Sequence, residues 1–304
     1  MNLNALLMIG LLSSTLGASL AAPAASASPL EGELPSPPAT AVAEAKVRST
    51  ALEALKSEIP DDLSAEDRAR ALVRRAVAGA VALGPESETA RNLRKACLTA
   101  VNSLETAPKA SALLVELATE SAQRDLAFAP TMEAPLPKGF PWPVPAGEIR
   151  IQEYPGYRKV MTGMRGDAQN GAFFKLFGHI SSNDIAMTAP VEMTMGEEEM
   201  LDMAFLYGDP AIGEAGPDGR VEVTDIEPMT VLSIGIRGTT RNSLATGAME
   251  SLEGWLARNS ETWERAGNAR LMGYNGPMTP RNKQYCEVQI PVRRRAQSGA
   301  AEQE

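Results

Sequence analysis

The 304-residue chain is 44% hydrophobic and 22% charged. That is the composition of a folded protein with a sizeable core, and it excludes disorder throughout and a multi-span membrane protein. Acidic residues outnumber basic ones by 38 to 29, a formal charge of -9 at pH 7, which argues against nucleic acid as a partner because such binding needs a positive field.

Histidine occurs once, so any site that needs two imidazoles, such as an H-E-x-x-H zinc centre, is excluded. Cys97 and Cys286 lie far apart and can make at most one bridge. Without C-x-x-C or C-x-x-C-H, neither thioredoxin-like redox chemistry nor covalent haem attachment is available.

Residues 5–22 (ALLMIGLLSSTLGASLAA) are apolar and run into small residues, with Ala25-Ser26-Ala27 as a cleavage-like site. The pattern predicts a signal peptide over residues 1–27 and export to the periplasm or the exterior, although Met1 to Asn4 lack the usual basic residue. The alternative is an uncleaved anchor, but the serines in this short apolar stretch argue against a stable membrane span. Residues 28–40 hold four prolines and no basic residue and read as a linker. In an oxidising compartment the two cysteines would be bridged or separately buried.

Residues 41–128 are rich in alanine and leucine and poor in proline. Val47, Leu52, Leu55 and Ile59 recur at helical spacing, as do Leu72, Val73, Val77 and Val81, and Leu93, Cys97, Val101 and Leu104. Ser64 with Asp67 resembles a capping box before the second helix. Three or four helices predict a small antiparallel bundle, whose small side chains imply a thin core that packs on the next domain. Cys97 on the apolar stripe reads as a buried small hydrophobe.

Residues 129–146 form a proline-rich connector. Pro135, Pro137, Pro141, Pro143 and Pro145 keep it extended, and Trp142 is placed to anchor it. From Glu148 to Glu153 the pattern alternates, Tyr157 to Met161 makes a second strand, and Asp167 to Ile180 reads as a helix. Ile185 to Met195 returns to period two, with Pro190 arguing for an edge strand or a bulge. After a strand at Leu201–Tyr207 and a turn at 216–219 the order repeats: strands at Val221–Ile226 and Val231–Ile236, a helix at Leu244–Arg258, then strands at Leu271–Tyr274 and Tyr285–Val292. This predicts a duplicated α+β unit with a groove between sheet and helices.

EIRIQEYPGYRKV (148–160), HISSNDIAMTAPV (179–191) and NGPMTPRNKQYCEVQIPV (275–292) resemble the SOUL haem-binding family, in the right order over residues 146–293. The resemblance implies a pseudo-symmetric, distorted eight-stranded antiparallel barrel with two flanking helices, preceded here by the helical bundle. The expected division is therefore signal peptide 1–27, linker 28–40, helical region 41–128, connector 129–146, SOUL-like domain 147–293 and polar tail 294–304.

The resemblance also implies haem or another tetrapyrrole held non-covalently in an apolar cleft. Such a cleft needs apolar surface for the macrocycle and cations for its carboxylates. Phe173, Phe177, Met187 and Met193 are the apolar candidates, with core packing as the competing reading, and Arg158 and Arg165 are the propionate candidates. His179 has three readings: a helix-end residue aided by the dipole, a packed core residue, or an axial ligand. The resemblance weakens the last, because family members carry an aromatic residue in that segment. No residue stands out as catalytic or as a metal ligand, and Ser181, Ser182 and Asp184 beside His179 are ordinary helix-exit polar residues. The expected function is a carrier or buffer without catalysis. The alternative is a binding or scaffold protein for a different small amphiphile, or for a protein partner through the helical region.

Overall fold

The structure is a computed structural model that describes residues 39–164, 169–196, 199–238, 242–276 and 278–296. The expected signal peptide, most of the linker, Arg165, Asp167, Pro277 and the end of the tail lie outside these residues.

Four helices come first: α1 (Ala39–Leu55), α2 (Ala65–Leu83), α3 (Glu88–Asn102) and α4 (Pro108–Ala127). Ser64 Oγ accepts the Asp67 N–H at 3.1 Å and its hydroxyl donates to the Asp67 carboxylate at 2.7 Å, so α2 starts where the capping signal put it. Ser87 caps α3 in the same way through the Ala90 N–H. The bundle core is built of Ala51, Ala69, Ala76, Ala80, Ala90 and Ala100 around Leu55, Leu72, Leu93 and Val115. Val47, Val77, Val81 and Val101, which the spacing placed inside, are exposed. Small side chains let the helices approach closely, and the larger branched ones are left on the outside.

Beyond the connector run β1 (Ile149–Tyr154), β2 (Tyr157–Gly163), α5 (Gln169–Ser182), β3 (Val191–Met195), β4 (Met200–Leu206), β5 (Gly216–Asp218), β6 (Val221–Ile226), β7 (Met229–Arg237), α6 (Asn242–Arg258), β8 (Trp263–Arg265), β9 (Arg270–Gly273) and β10 (Tyr285–Arg294). All ten strands belong to one sheet, ordered β1-β7-β10-β9-β3-β4-β2-β6-β5, with β8 on β10. The first strand of each half pairs with the second strand of the other, β1 with β7 and β6 with β2.

The expected eight-stranded barrel is not what forms: the sheet is open, with β1 and β5 as its ends. β5 has only three residues, Gly-Pro-Asp, and Pro217 has no N–H to extend a ladder. Both β5, read from sequence as a turn, and β8 are additional to the predicted strands. The long strand expected over 185–195 also shortens. β3 starts at Val191 and lies inside the sheet between β9 and β4, so Pro190 precedes an interior strand and does not mark an edge.

One sheet face carries Val160, Met193, Phe205, Leu232, Leu271, Val288 and Ile290 against Leu176 of α5 and Leu252 of α6. The alternate residues face the other way, where Tyr157, Leu206, Met272, Tyr274 and Tyr285 pack under Phe128 at the end of α4 and Leu136 and Phe140 of the connector. The connector is thus a strap across the far face of the sheet.

The bundle docks at the β1 end. Arg48 donates to the carbonyls of Asp125 (2.7 Å) and Ala146 (3.2 Å), and Arg237 pairs with Asp125 at 2.6 Å. Gly147 has φ +80°, and a Cβ there would sit 3.0 Å from Thr89 Oγ1, so this close approach needs glycine. Cys97 and Cys286 are both free and buried. No described helix is long and apolar enough to cross a membrane.

Candidate functional site

Helix α5 sets its face by spacing: Ala172, Leu176 and Ile180, four residues apart, are buried on the sheet. Phe173 is half-buried between them and Phe205, with ring centroids 5.1 Å apart. The ring of Phe177 lies almost parallel to that of Phe173, 6.1 Å away at 8°. Phe177 and Phe174 are 48% and 70% exposed, so the helix presents aromatic surface to solvent with no partner among the described elements. Met193 is buried in the core beneath, and Met187 packs partly buried against the same core. The apolar candidates therefore divide: Phe177 is available to a ligand, Phe173 in part, and Met193 is core.

The polar candidates form a second cluster at the end of α5. His179 Nδ1 lies 2.8 Å from Asp218 Oδ2, and its Nε2 lies 2.7 Å from the Tyr207 hydroxyl. Its side chain is only 7% exposed, so the helix-end and packed readings describe one residue. Iron coordination there requires displacing Asp218 or Tyr207. Burial raises the Tyr207 phenol, so it stays a neutral hydrogen-bonding group at neutral pH.

Arg158 is likewise occupied. Its Nε and Nη2 grip the Asp225 carboxylate at 2.7 and 2.8 Å, and Nη1 donates to the carbonyls of Ile212 and Gly213. Holding a propionate would mean releasing Asp225. Among the described residues no group of three histidine, cysteine or acidic side chains is placed to hold a metal.

Two features were missed by sequence reasoning. The first is an open cleft of about 650 Å³ at the β6–β7 turn, where Met229, Pro228, Trp263 and Pro291 meet Glu227 and Arg294. The Arg294 guanidinium lies 4.9 Å above the Trp263 ring, a cation–π geometry. These residues come from separate strands, and only the Arg293–Arg295 run was visible as a local signal.

The second is a buried polar cluster under the strap. Glu192 accepts Lys159 Nζ at 2.5 Å, the Tyr157 hydroxyl at 2.7 Å and Arg270 Nη1 at 3.1 Å. Burial pushes its carboxyl up, but Arg270 and Lys159 outweigh this and hold it below the usual carboxylate range. Next to it Glu287 accepts from Ser233, Gln289 and Tyr285 and from the Val144 N–H. Burial prevails at Glu287 and raises it. The alternation of β3 and β10 pointed these acids away from the helices, but the strap that buries them was not foreseeable.

The site and the fold define a duplicated α+β domain on an open sheet, with exposed aromatic side chains on α5 and a cleft at the β6–β7 turn. Residues 141–291 match the SOUL heme-binding protein family, and this part of the chain belongs to that family. No curated protein matches the chain. Among solved structures, a cryo-EM structure of an EcmrR–DNA complex is similar at 16% identity and a TM-score of 0.36, over 48% of this chain and 57% of that one. An uncharacterized conserved protein from Listeria innocua is similar at 12% identity and a TM-score of 0.40, over 49% and 94%. SAV2435 bound to tetraphenylphosphonium is similar at 12% identity and a TM-score of 0.32, over 48% and 94%. At these scores the likenesses carry no argument about function.

Proposed function

We propose that the SOUL domain, residues 147–293, binds haem or another tetrapyrrole non-covalently, as an exported carrier or buffer without catalysis. Beyond the family, the observation that carries this reading is the aromatic surface of α5, where Phe177 and Phe173 lie nearly parallel and Phe177 is half exposed. A flat macrocycle buries such surface at roughly 25 cal/mol per Å². The residues fit the macrocycle better than they fit its iron, since both nitrogens of His179 are engaged. Bound haem would supply redox and absorbance properties that depend on its axial donors. The chain's contribution is apolar enclosure, with Phe173 and Met187 partly buried on the same core and with Arg158 available to a propionate if it leaves Asp225.

A haemin titration of the full chain followed by absorbance tests this. Saturable one-to-one binding is expected, weakened about tenfold by Phe177→Asp, with the Soret position unchanged by His179→Ala. Partition without saturation overturns the reading.

A protein partner is favoured by a different observation. Val81 and Leu98 on α2 and α3 are 70% and 67% exposed, apolar side chains that a partner surface would cover. Capture of a defined partner by residues 41–128, with no haemin binding, would establish that alternative.

A further inference from the structure

The strap holds one residue unlike the rest. Phe140 N–H donates to the Pro137 carbonyl at 3.1 Å, and Gly139 between them has φ +78°, so residues 137–140 form a tight turn that only glycine accommodates at that position. The turn sets the Phe140 ring edge-on against two tyrosines, 4.9 Å from Tyr154 and 5.2 Å from Tyr157. Both tyrosines hold Arg270: its guanidinium lies 4.9 Å from the Tyr154 centroid, and its Nη1 donates to the Tyr157 hydroxyl at 2.7 Å.

A sheet face that only had to seat a strap would be apolar, because a buried ion pair is seldom more stabilising than hydrophobic packing. This face instead buries Lys159 and Arg270 around the carboxylate of Glu192, with a second buried carboxylate, Glu287, reached from Arg270 through Gln289. Arg270 is 4% exposed, and its Nη2 is buried with no hydrogen-bond partner among the described residues. An aromatic slot and an unused guanidinium N–H therefore lie together.

We propose that this cage is a binding site for an aromatic monocarboxylate, kept closed by the Phe140 ring. The ring of the ligand takes the place of Phe140 against Tyr154 and Tyr157, and its carboxylate accepts from Arg270. Opening requires the turn to lift between the strap's fixed points, the Pro135 carbonyl on the Ala189 N–H and the Trp142 carbonyl on Gln152 Nε2. Within the turn the polar contacts are the Lys138 N–H to the Gly208 carbonyl and the exposed Lys138–Asp209 pair, while Glu133 anchors the strap upstream on Gly276 and Thr279. The cage lies on the sheet face opposite α5, so it stands independently of the tetrapyrrole reading.

The test is calorimetric titration of the full chain and of Phe140→Ala with benzoate, using benzyl alcohol as the uncharged control. Expected is one-to-one benzoate binding to Phe140→Ala at least about tenfold tighter than to the unaltered chain, and at least about tenfold tighter than benzyl alcohol binds. Equal benzoate affinity in the two proteins, or no saturable binding to Phe140→Ala, overturns the proposal. If circular dichroism shows Phe140→Ala unfolded, the double variant Glu133→Ala/Lys138→Ala loosens the strap by removing its side-chain anchors, without touching the cage. Tighter benzoate binding than in the unaltered chain then supports the proposal, and unchanged binding overturns it.

Discussion

The Glu148 carboxylate accepts the backbone N–H of Glu88 at 3.0 Å and the Ser87 hydroxyl at 2.7 Å. A residue at the entry to β1 thereby caps α3 from sixty positions away in sequence. Free N–H groups at a helix start favour negative charge, and the same carboxylate faces Arg48 at 3.8 Å. This buried acid joins the bundle to the sheet alongside the Arg237–Asp125 and Arg258–Glu88 pairs.

Glu148→Ala removes both the cap and the counter-charge of Arg48. It is expected to destabilise the chain by about 3 kcal/mol, and Glu148→Gln, which keeps an acceptor, by less. Urea unfolding followed by circular dichroism gives both values. Equal stability of all three proteins would mean that the joint contributes nothing.

Two helical glycines predict opposite signs. A Cβ on Gly79 would meet Leu55 at 2.4 Å, whereas one on Gly247 meets nothing within 4 Å. Gly79→Ala should cost about 1–3 kcal/mol by overpacking the bundle, while Gly247→Ala in exposed α6 should gain about 0.5–1 kcal/mol. Thermal melts of the two variants decide this, and a gain for Gly79→Ala would contradict the close α1–α2 approach.

Acid sensitivity follows from Glu192. Against the effect of burial, Arg270 and Lys159 hold its folded-state value below the ordinary glutamate range, so its stabilisation is complete at neutral pH and is lost as pH falls through the folded value. Glu287 and Asp125 are raised, both mainly by burial; their contribution is present at low pH and lost as pH rises through their folded values. Glu192→Gln should lower stability at pH 7 by about 3 kcal/mol, since Lys159 and Arg270 lose their counter-charge. It should also flatten the fall in urea midpoint below pH 4.5. An unchanged acid limb would place the acid-sensitive group elsewhere.

Both thiols should be silent in the folded chain. Burial pushes Cys286 up to about 12 and raises Cys97, which leaves almost no thiolate at pH 8. A thiol reagent should label neither residue in the native protein and both in denaturant, with or without prior reduction. Native labelling would mean that one of these cores opens.

Local signals in the sequence were reliable where one element decided the outcome. Ser64 and Asp67 marked the start of α2 because a cap involves only neighbouring residues. The alternation of Cys286, Val288, Ile290 and Val292 placed the core face of β10, because the pleat has a fixed period of two. In the bundle the stripes placed Leu55, Leu72, Leu93 and Cys97 correctly, but Val47, Val77, Val81 and Val101 lie outside, because close helix contact selects the alanines between them.

The sequence by itself determined the family, the helices and strands, and the helix-facing side of the sheet, since each depends on short-range periodicity or on motif order. Only the tertiary structure decided that the sheet stays open at β1 and β5, that Asp218 and Tyr207 occupy both nitrogens of His179, and that the strap seals Glu192 and Arg270 under Phe140. Each of these joins residues tens of positions apart. Whether such groups meet depends on how strands from the two halves pair, and no local pattern carries that information.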